Sequence, residues 1–143
     1  MRPIRSATLG VFASAVLATS LAGCQLDPQS RSASDIVVAA DLELSGPSAS
    51  TGNAYKRALQ LRVEQINSSG VLGERRIRLE ITDNKSDPAE SLRNVSEITK
   101  DPKVKALVLG SCSECAVNAA KVIDDQKVPT VALAPASAVA DPG

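Results

Sequence analysis

Histidine and tryptophan are absent from this chain, and Tyr55 and Phe12 are its single tyrosine and single phenylalanine. The usual proton shuttle and the usual base-stacking platforms are therefore missing, and a catalytic role is not expected. Neither sign of charge dominates, because sixteen Lys and Arg face sixteen Asp and Glu. No basic field exists to hold a nucleic acid. Long apolar runs are also lacking: the longest, Ala7 to Leu21, is too short and too rich in Ala and Thr for a spanning helix.

That run has a different use. Arg2 and Arg5 precede it, small residues follow it, and Leu21-Ala22-Gly23-Cys24 closes it, the layout of a cleaved export signal. These four residues resemble the bacterial lipobox, whose cysteine is lipidated on sulfur and becomes the first residue of the mature protein. The resemblance implies a signal peptide over 1–23, a lipid on Cys24, and an extracytoplasmic protein anchored to the cell membrane. Several acyl chains hold stably, since each buried methylene contributes about 0.8 kcal/mol. Loss of Arg2 and Arg5 with the leader brings the mature charge to about −2. With Cys24 carrying lipid, Cys112 and Cys115 remain in an oxidising compartment that permits a disulfide. Two cysteines without histidine do not complete a tetrahedral zinc site, so neither metal nor other cofactor is expected.

Residues 24–34 are polar, Ser-rich and contain Pro28, and they read as a flexible tether. From Asp35 the pattern changes. Ile36-Val37-Val38-Ala39-Ala40 is the continuous apolar run of a parallel strand covered on both faces. Tyr55, Leu59, Val63 and Ile66 then form a helical stripe within Gly52 to Asn67. Ile77, Leu79 and Ile81 alternate with Arg78 and Glu80, a strand with one polar side that belongs at an edge. Asp87-Pro88-Ala89-Glu90 has the form of a capping box and opens a helix carrying Leu92, Val95 and Ile98, stopped by Pro102. A strand over Val104 to Leu109, a helix over Glu114 to Asp125 with Ala116, Ala119, Ala120 and Ile123 inward, and a strand over Val128 to Leu133 complete the series. Strands alternating with helices define an α/β, doubly wound parallel sheet with right-handed crossovers. About 120 mature residues suffice for one such domain, placed at 35–143.

In such a sheet, ligands bind outside the carboxyl ends of strands, where strand order reverses. For the common order 2-1-3-4 the loops there are Ser45 to Gly52 and Gly110 to Glu114, with Ala134-Pro135-Ala136-Ser137 alongside. All are short and small-residued, and the first two run into helix N-termini. Unpaired amides and hydroxyls at those termini suit a carboxylate. The same hydroxyls also serve as caps and turn residues: Ser113 is a natural N-cap for the third helix, and Ser45, Ser48 and Ser50 suit ordinary loop solvation. The two roles coexist.

Several stretches, in order, resemble the substrate-binding proteins of branched-chain amino acid ABC transporters, the leucine/isoleucine/valine-binding group of type I periplasmic binding proteins. They are Leu44-Ser45-Gly46-Pro47 through Gly52, Leu61, Val63-Glu64-Gln65-Ile66-Asn67, and Gly70-Val71-Leu72-Gly73. Downstream follow Asp83-Asn84 with Ser86-Asp87-Pro88, then Val108-Leu109-Gly110, Val128-Pro129 and Asp141-Pro142-Gly143. The resemblance implies one lobe of a two-lobed, hinged protein that traps an amino acid or similar small polar solute and passes it to an ABC permease. It also implies that the family's chain continues beyond Asp141-Pro142-Gly143, so a truncated gene product or an incomplete sequence is expected. By the same resemblance, Ser113 meets the solute carboxylate, while Ser137 and the carbonyl of Ala134 meet its ammonium. Thr51 stands where branched-chain binders often carry an aromatic, so the resemblance to leucine-type specificity stops at that position. Some relatives bridge a cysteine just before the second helix to the loop after the third strand. Here the first position is Ser86, and Cys112 has Cys115 instead.

Three rival readings use the same residues. The lobe also suits a sensory module that reports occupancy to a receptor instead of a permease. Cys112-Ser113-Glu114-Cys115, between a strand and a helix, sits where a thioredoxin-like thiol-disulfide motif sits, although no Trp or Pro accompanies it. A nonfunctional fragment would expose apolar surface and tend to aggregate.

Overall fold

The computed structural model describes residues 35–135. The leader, Cys24, the tether, Ser137 and Asp141-Pro142-Gly143 lie outside the described residues. Among the described residues, four strands and three helices alternate: β1 Ile36–Leu42, α1 Ala49–Ser69, β2 Ile77–Asp83, α2 Pro88–Ile98, β3 Val104–Leu109, α3 Ser113–Gln126 and β4 Thr130–Ala132. The sheet has the order β2-β1-β3-β4, and every neighbouring pair is parallel. This is the doubly wound α/β order expected from the alternating pattern.

Burial follows strand position. β1 is central, and Val37, Ala39, Ala40, Asp41 and Leu42 are all buried. β2 lies at the edge: Ile77, Leu79 and Ile81 are half-buried, while Arg78 and Glu80 point outward and pair at 3.0 Å, an exposed ion pair that contributes little. β4 is shorter than Val128 to Leu133, although its ladder extends past its ends. Leu107 N donates to Pro129 O at 2.9 Å and Leu133 N to Leu109 O at 3.0 Å. Pro129 has no N–H of its own to give, which trims the regular strand.

The core lies mainly on one face, where Val37, Ala39, Leu107 and Leu109 meet Val95 of α2 and Ala116 and Ala119 of α3. Complete burial of a side chain such as Val95 contributes about 1.5–3 kcal/mol. The other face is covered by α1, whose stripe of Tyr55, Leu59, Val63 and Ile66 is half-buried; its one fully buried residue is Gly52. Leu61 remains 57% exposed. Ala120 of α3 departs from expectation: it is exposed, because a cleft opens between this part of the helix and the sheet, while Cys115, Ala116 and Ala119 are buried. None of the described helices is long and apolar enough to cross a membrane.

Helix starts show which local signals operate. Asp87 Oδ1 accepts from Ala89 N at 2.7 Å and Glu90 N at 2.9 Å, with Pro88 in the first turn. Only half of the capping box forms, because Glu90 turns to Lys85 and Arg93 while Asp87 N donates to Asn84 O at 2.9 Å. Ser113 is not the cap of α3. It is the first helical residue, and Cys112 is the N-cap, its Sγ accepting from Cys115 N at 3.2 Å.

Candidate functional site at the carboxyl ends of the strands

β1 and β3 are adjacent, but their crossovers depart to different neighbours, so their carboxyl ends form the switch point of the sheet. Gly110 N donates to Asp41 O at 3.0 Å and Leu133 N to Leu109 O. These bonds set the loops after β1, β3 and β4 side by side. Ser113 opens α3 and is half-buried, Ala134 is half-buried against the core cluster, and Thr51 is exposed in the first turn of α1. The three therefore belong to one end of one sheet. Ser137 is outside the described residues.

Three acidic residues that local patterning did not single out hold this end together. Asp41 is fully buried and accepts four hydrogen bonds from neutral side chains. Thr82 Oγ1 at 2.9 Å and Asn94 Nδ2 at 2.8 Å reach Oδ1, while Asn84 Nδ2 at 3.1 Å and Ser91 Oγ at 2.6 Å reach Oδ2. One carboxylate thus ties β1 to β2 and α2. Such a group is tolerated in the interior because its hydrogen-bonding capacity is met.

Asp83, at the end of β2, shapes the loop after β1. Its carboxylate accepts from Leu44 N at 2.9 Å, Ser45 N at 3.1 Å, Ser45 Oγ at 2.6 Å and Lys85 N at 2.8 Å. Desolvation is the largest single influence and pushes its pKa up. The Ser45 hydroxyl and the amides of Lys85, Ser45 and Leu44 together outweigh it and hold the carboxyl below its ordinary 3.8. Ser45 is thereby spent on an internal bond. Ser86 completes the junction, its Oγ donating to Ser45 O at 3.1 Å and accepting from Ser48 N at 3.1 Å. Lys85 and Ser86 both adopt left-handed φ, near 58° and 59°, held by the Asp83 and Asn84 side chains.

Glu43 is the third. It is fully buried one residue beyond β1, and its carboxylate reaches the loop after β3. Oε2 accepts from Ser111 N at 3.2 Å and Ser111 Oγ at 3.3 Å, and Oε1 accepts from Cys112 N at 2.9 Å. Two glycines make room. A Cβ on Gly110 would lie 2.4 Å from the Glu43 carboxylate, and one on Gly52 would lie 2.0 Å from the Glu43 carbonyl oxygen. Cys112 and Cys115 are joined by a disulfide with Cα atoms 5.2 Å apart. Cys115 is 3% exposed, so the bridge ties the N-cap of α3 to a buried position in the helix's own first turn.

What remains open to a solute follows by subtraction. The first four amides of a helix have no intrahelical partner. At α3, the amide of Cys112 is taken by Glu43 and that of Cys115 by Cys112 Sγ; those of Ser113 and Glu114, beside the Ser113 hydroxyl, have no partner among the described residues. Among the described residues, no group of three or more His, Cys, Asp or Glu is placed to hold a metal ion. A separate cleft of about 400 Å³ lies under α3 against β4, walled by Leu109, Ala116, Ala120, Ile123, Val128 and Ala132. It reflects the short alanines of α3, which fill less space than the strands leave, and it is not at the switch point.

In a parallel α/β lobe, a small-residued, donor-bearing switch point is where ligands bind. Comparison with known proteins agrees. Residues 35–143 match the family described as periplasmic binding protein, and the chain belongs to that family. Among solved structures, it is similar to the branched-chain amino acid transporter substrate-binding protein LivJ from Streptococcus pneumoniae in complex with isoleucine. Identity is 28%, TM-score 0.66, and the match covers 70% of this chain and 29% of LivJ. The leucine-binding protein LivK of Thermotoga maritima is 23% identical with TM-score 0.63, over 69% of this chain and 27% of its own. A solute-binding protein of an ABC transporter from Rhodopseudomonas palustris, in complex with 3,4-dihydroxybenzoic acid, is 22% identical with TM-score 0.62, over 70% and 27%. These last two identities support the fold alone. The chain spans less than a third of the length of the solved proteins it matches.

Proposed function

We propose that this chain is the lipid-anchored, extracytoplasmic solute-binding component of an ABC importer, taking an amino acid or a similar small polar solute and performing no chemistry on it. The observation that carries the reading is the switch point, where the loops after β1, β3 and β4 meet at the start of α3 in a lobe of this family. Likeness to isoleucine-bound LivJ supports the choice of solute class. In this reading the Ser113 hydroxyl and the open amides at the start of α3 receive the solute carboxylate. The Ala134 carbonyl and Ser137 receive its ammonium, and Thr51 lines the wall contributed by α1. A second lobe closes over the solute by a hinge and presents the loaded state to the permease. Lipid on Cys24 keeps the complex at the membrane.

One lobe offers part of a site. Loss of three or four hydrogen bonds at about 1 kcal/mol each turns a micromolar site into one of roughly millimolar affinity. Titration of the ¹⁵N-labelled chain with L-isoleucine, the other common amino acids and 3,4-dihydroxybenzoate tests this. Saturable shifts confined to the loops after β1, β3 and β4, and lost in Ser113→Ala, are expected for one class of solute. Absence of such shifts for every compound would remove the reading. The anchor is tested separately by palmitate incorporation, which Cys24→Ala should abolish.

A further inference from the structure

Glu43 does more than fill space. It lies outside the regular strand and its side chain is wholly buried, yet among the described residues it meets no cation and donates no hydrogen bond. Both oxygens act only as acceptors, for two backbone amides and one hydroxyl from a loop 68 and 69 residues away. Two consecutive amides and a hydroxyl converging on one carboxylate are the donors that an anion requires. Gly110 borders this loop, and any side chain there would collide with the carboxylate. The loop is thus built around an anion that the chain itself supplies.

We propose that Glu43 is an internal anion and a positioning residue: it sets the loop that carries Ser113 and closes the Ser111 and Cys112 amides to a solute carboxylate. Two carboxylates do not share one set of donors without strong repulsion. A solute anion approaching this loop is therefore refused at the Ser111 and Cys112 amides and must bind elsewhere. This specificity role rests on the solute-binding reading above, while the internal-anion role stands on geometry alone.

The experiment compares amide hydrogen exchange in the full oxidised chain and in its Glu43→Ala and Glu43→Gln variants, without solute. Ser111 and Cys112 should be protected in the parent chain and exchange about tenfold faster or more in Glu43→Ala. Glu43→Gln, which keeps one acceptor oxygen, should fall between. Leu107 and Val95 should keep their protection, separating a loop effect from general loosening. Acetate, a bare carboxylate, should restore protection at Ser111 and Cys112 in Glu43→Ala and leave the parent unchanged. Unprotected amides in the parent, indifference to both substitutions, or failure of acetate to rescue would overturn the internal anion. Should Glu43→Ala not fold, protection in the parent and its partial loss in Glu43→Gln decide the matter. L-Isoleucine distinguishes the two readings. Shifts at Ser111 and Cys112 as large as those at Ser113 in the parent would overturn the exclusion, whereas no shift at any residue with isoleucine or any other compound of the titration above would remove the solute reading and leave the exchange result standing.

Discussion

Asp41 offers a sharp test of what holds the switch point together. Replacing it with alanine removes one acceptor group that serves four donors. Two of these have somewhere else to go. Thr82 Oγ1 also reaches Ala40 O at 3.3 Å, and Asn94 Nδ2 also reaches Asp83 O at 3.2 Å. Asn84 Nδ2 and Ser91 Oγ belong to residues that are buried almost completely and lose their acceptor. At about 1–3 kcal/mol for each unsatisfied buried group, Asp41→Ala should cost about 2–6 kcal/mol, a large part of the 5–15 kcal/mol typical of a domain. Asp41→Asn keeps the volume and places one NH₂ among the donors. Facing Thr82 and Asn94 is its better orientation, since the Thr82 hydroxyl can turn to accept and Asn94 retains Asp83 O. That variant should cost about 1–3 kcal/mol. In urea unfolding, a loss of 3 kcal/mol with a slope of about 1.5 kcal/mol/M moves the midpoint down by about 2 M. A midpoint unchanged in Asp41→Ala, or equal losses in the alanine and asparagine variants, would refute the accounting of donors.

Two further outcomes are expected. Gly52→Ala places a Cβ 2.0 Å from the Glu43 carbonyl oxygen, which is backbone and cannot swing away. It should therefore cost about 1–3 kcal/mol and lower the melting temperature by about 4–8 °C per kcal/mol. Gly73→Ala meets nothing within 4 Å and bears only the penalty of a left-handed φ, so calorimetry should find it the milder change; the reverse order would contradict the packing. Asp83 has its native pKa below the unfolded value near 3.8, so its contribution is full above that pH and is lost as pH falls through the native pKa. Unfolding free energy measured from pH 5 downward should decline less steeply in Asp83→Asn, and identical slopes would show that the Ser45, Leu44 and Lys85 contacts do not stabilise the charged form.

The order of elements was legible from residues alone because each is announced locally. Ile77, Leu79 and Ile81 alternate with charge and form the edge strand, and Asp87-Pro88 starts α2 at the residue the pattern implied. Loop positions followed from the same boundaries, so the region of Thr51, Ser113 and Ala134 could be assigned to one end of the sheet. The cap of α3 was missed by one residue, since a cysteine sulfur took the place that hydroxyls usually hold. Ala120 lies on the face that helical periodicity identified, but periodicity does not reveal that a cleft there leaves it exposed.

Leader and lipobox pattern, strand-helix alternation and the absence of a histidine or aromatic site are properties of neighbouring residues or of composition, and the sequence by itself determined those readings. Asp41, Asp83 and Glu43 carry no local sign of their roles. Each reads as an ordinary charge at a strand end, and only the β2-β1-β3-β4 order brings their partners within reach across 38 to 69 residues. A hydrogen bond between distant segments depends on register and crossover, which no short window of sequence contains. The tertiary structure alone decided which donors at the switch point are already used by the described residues.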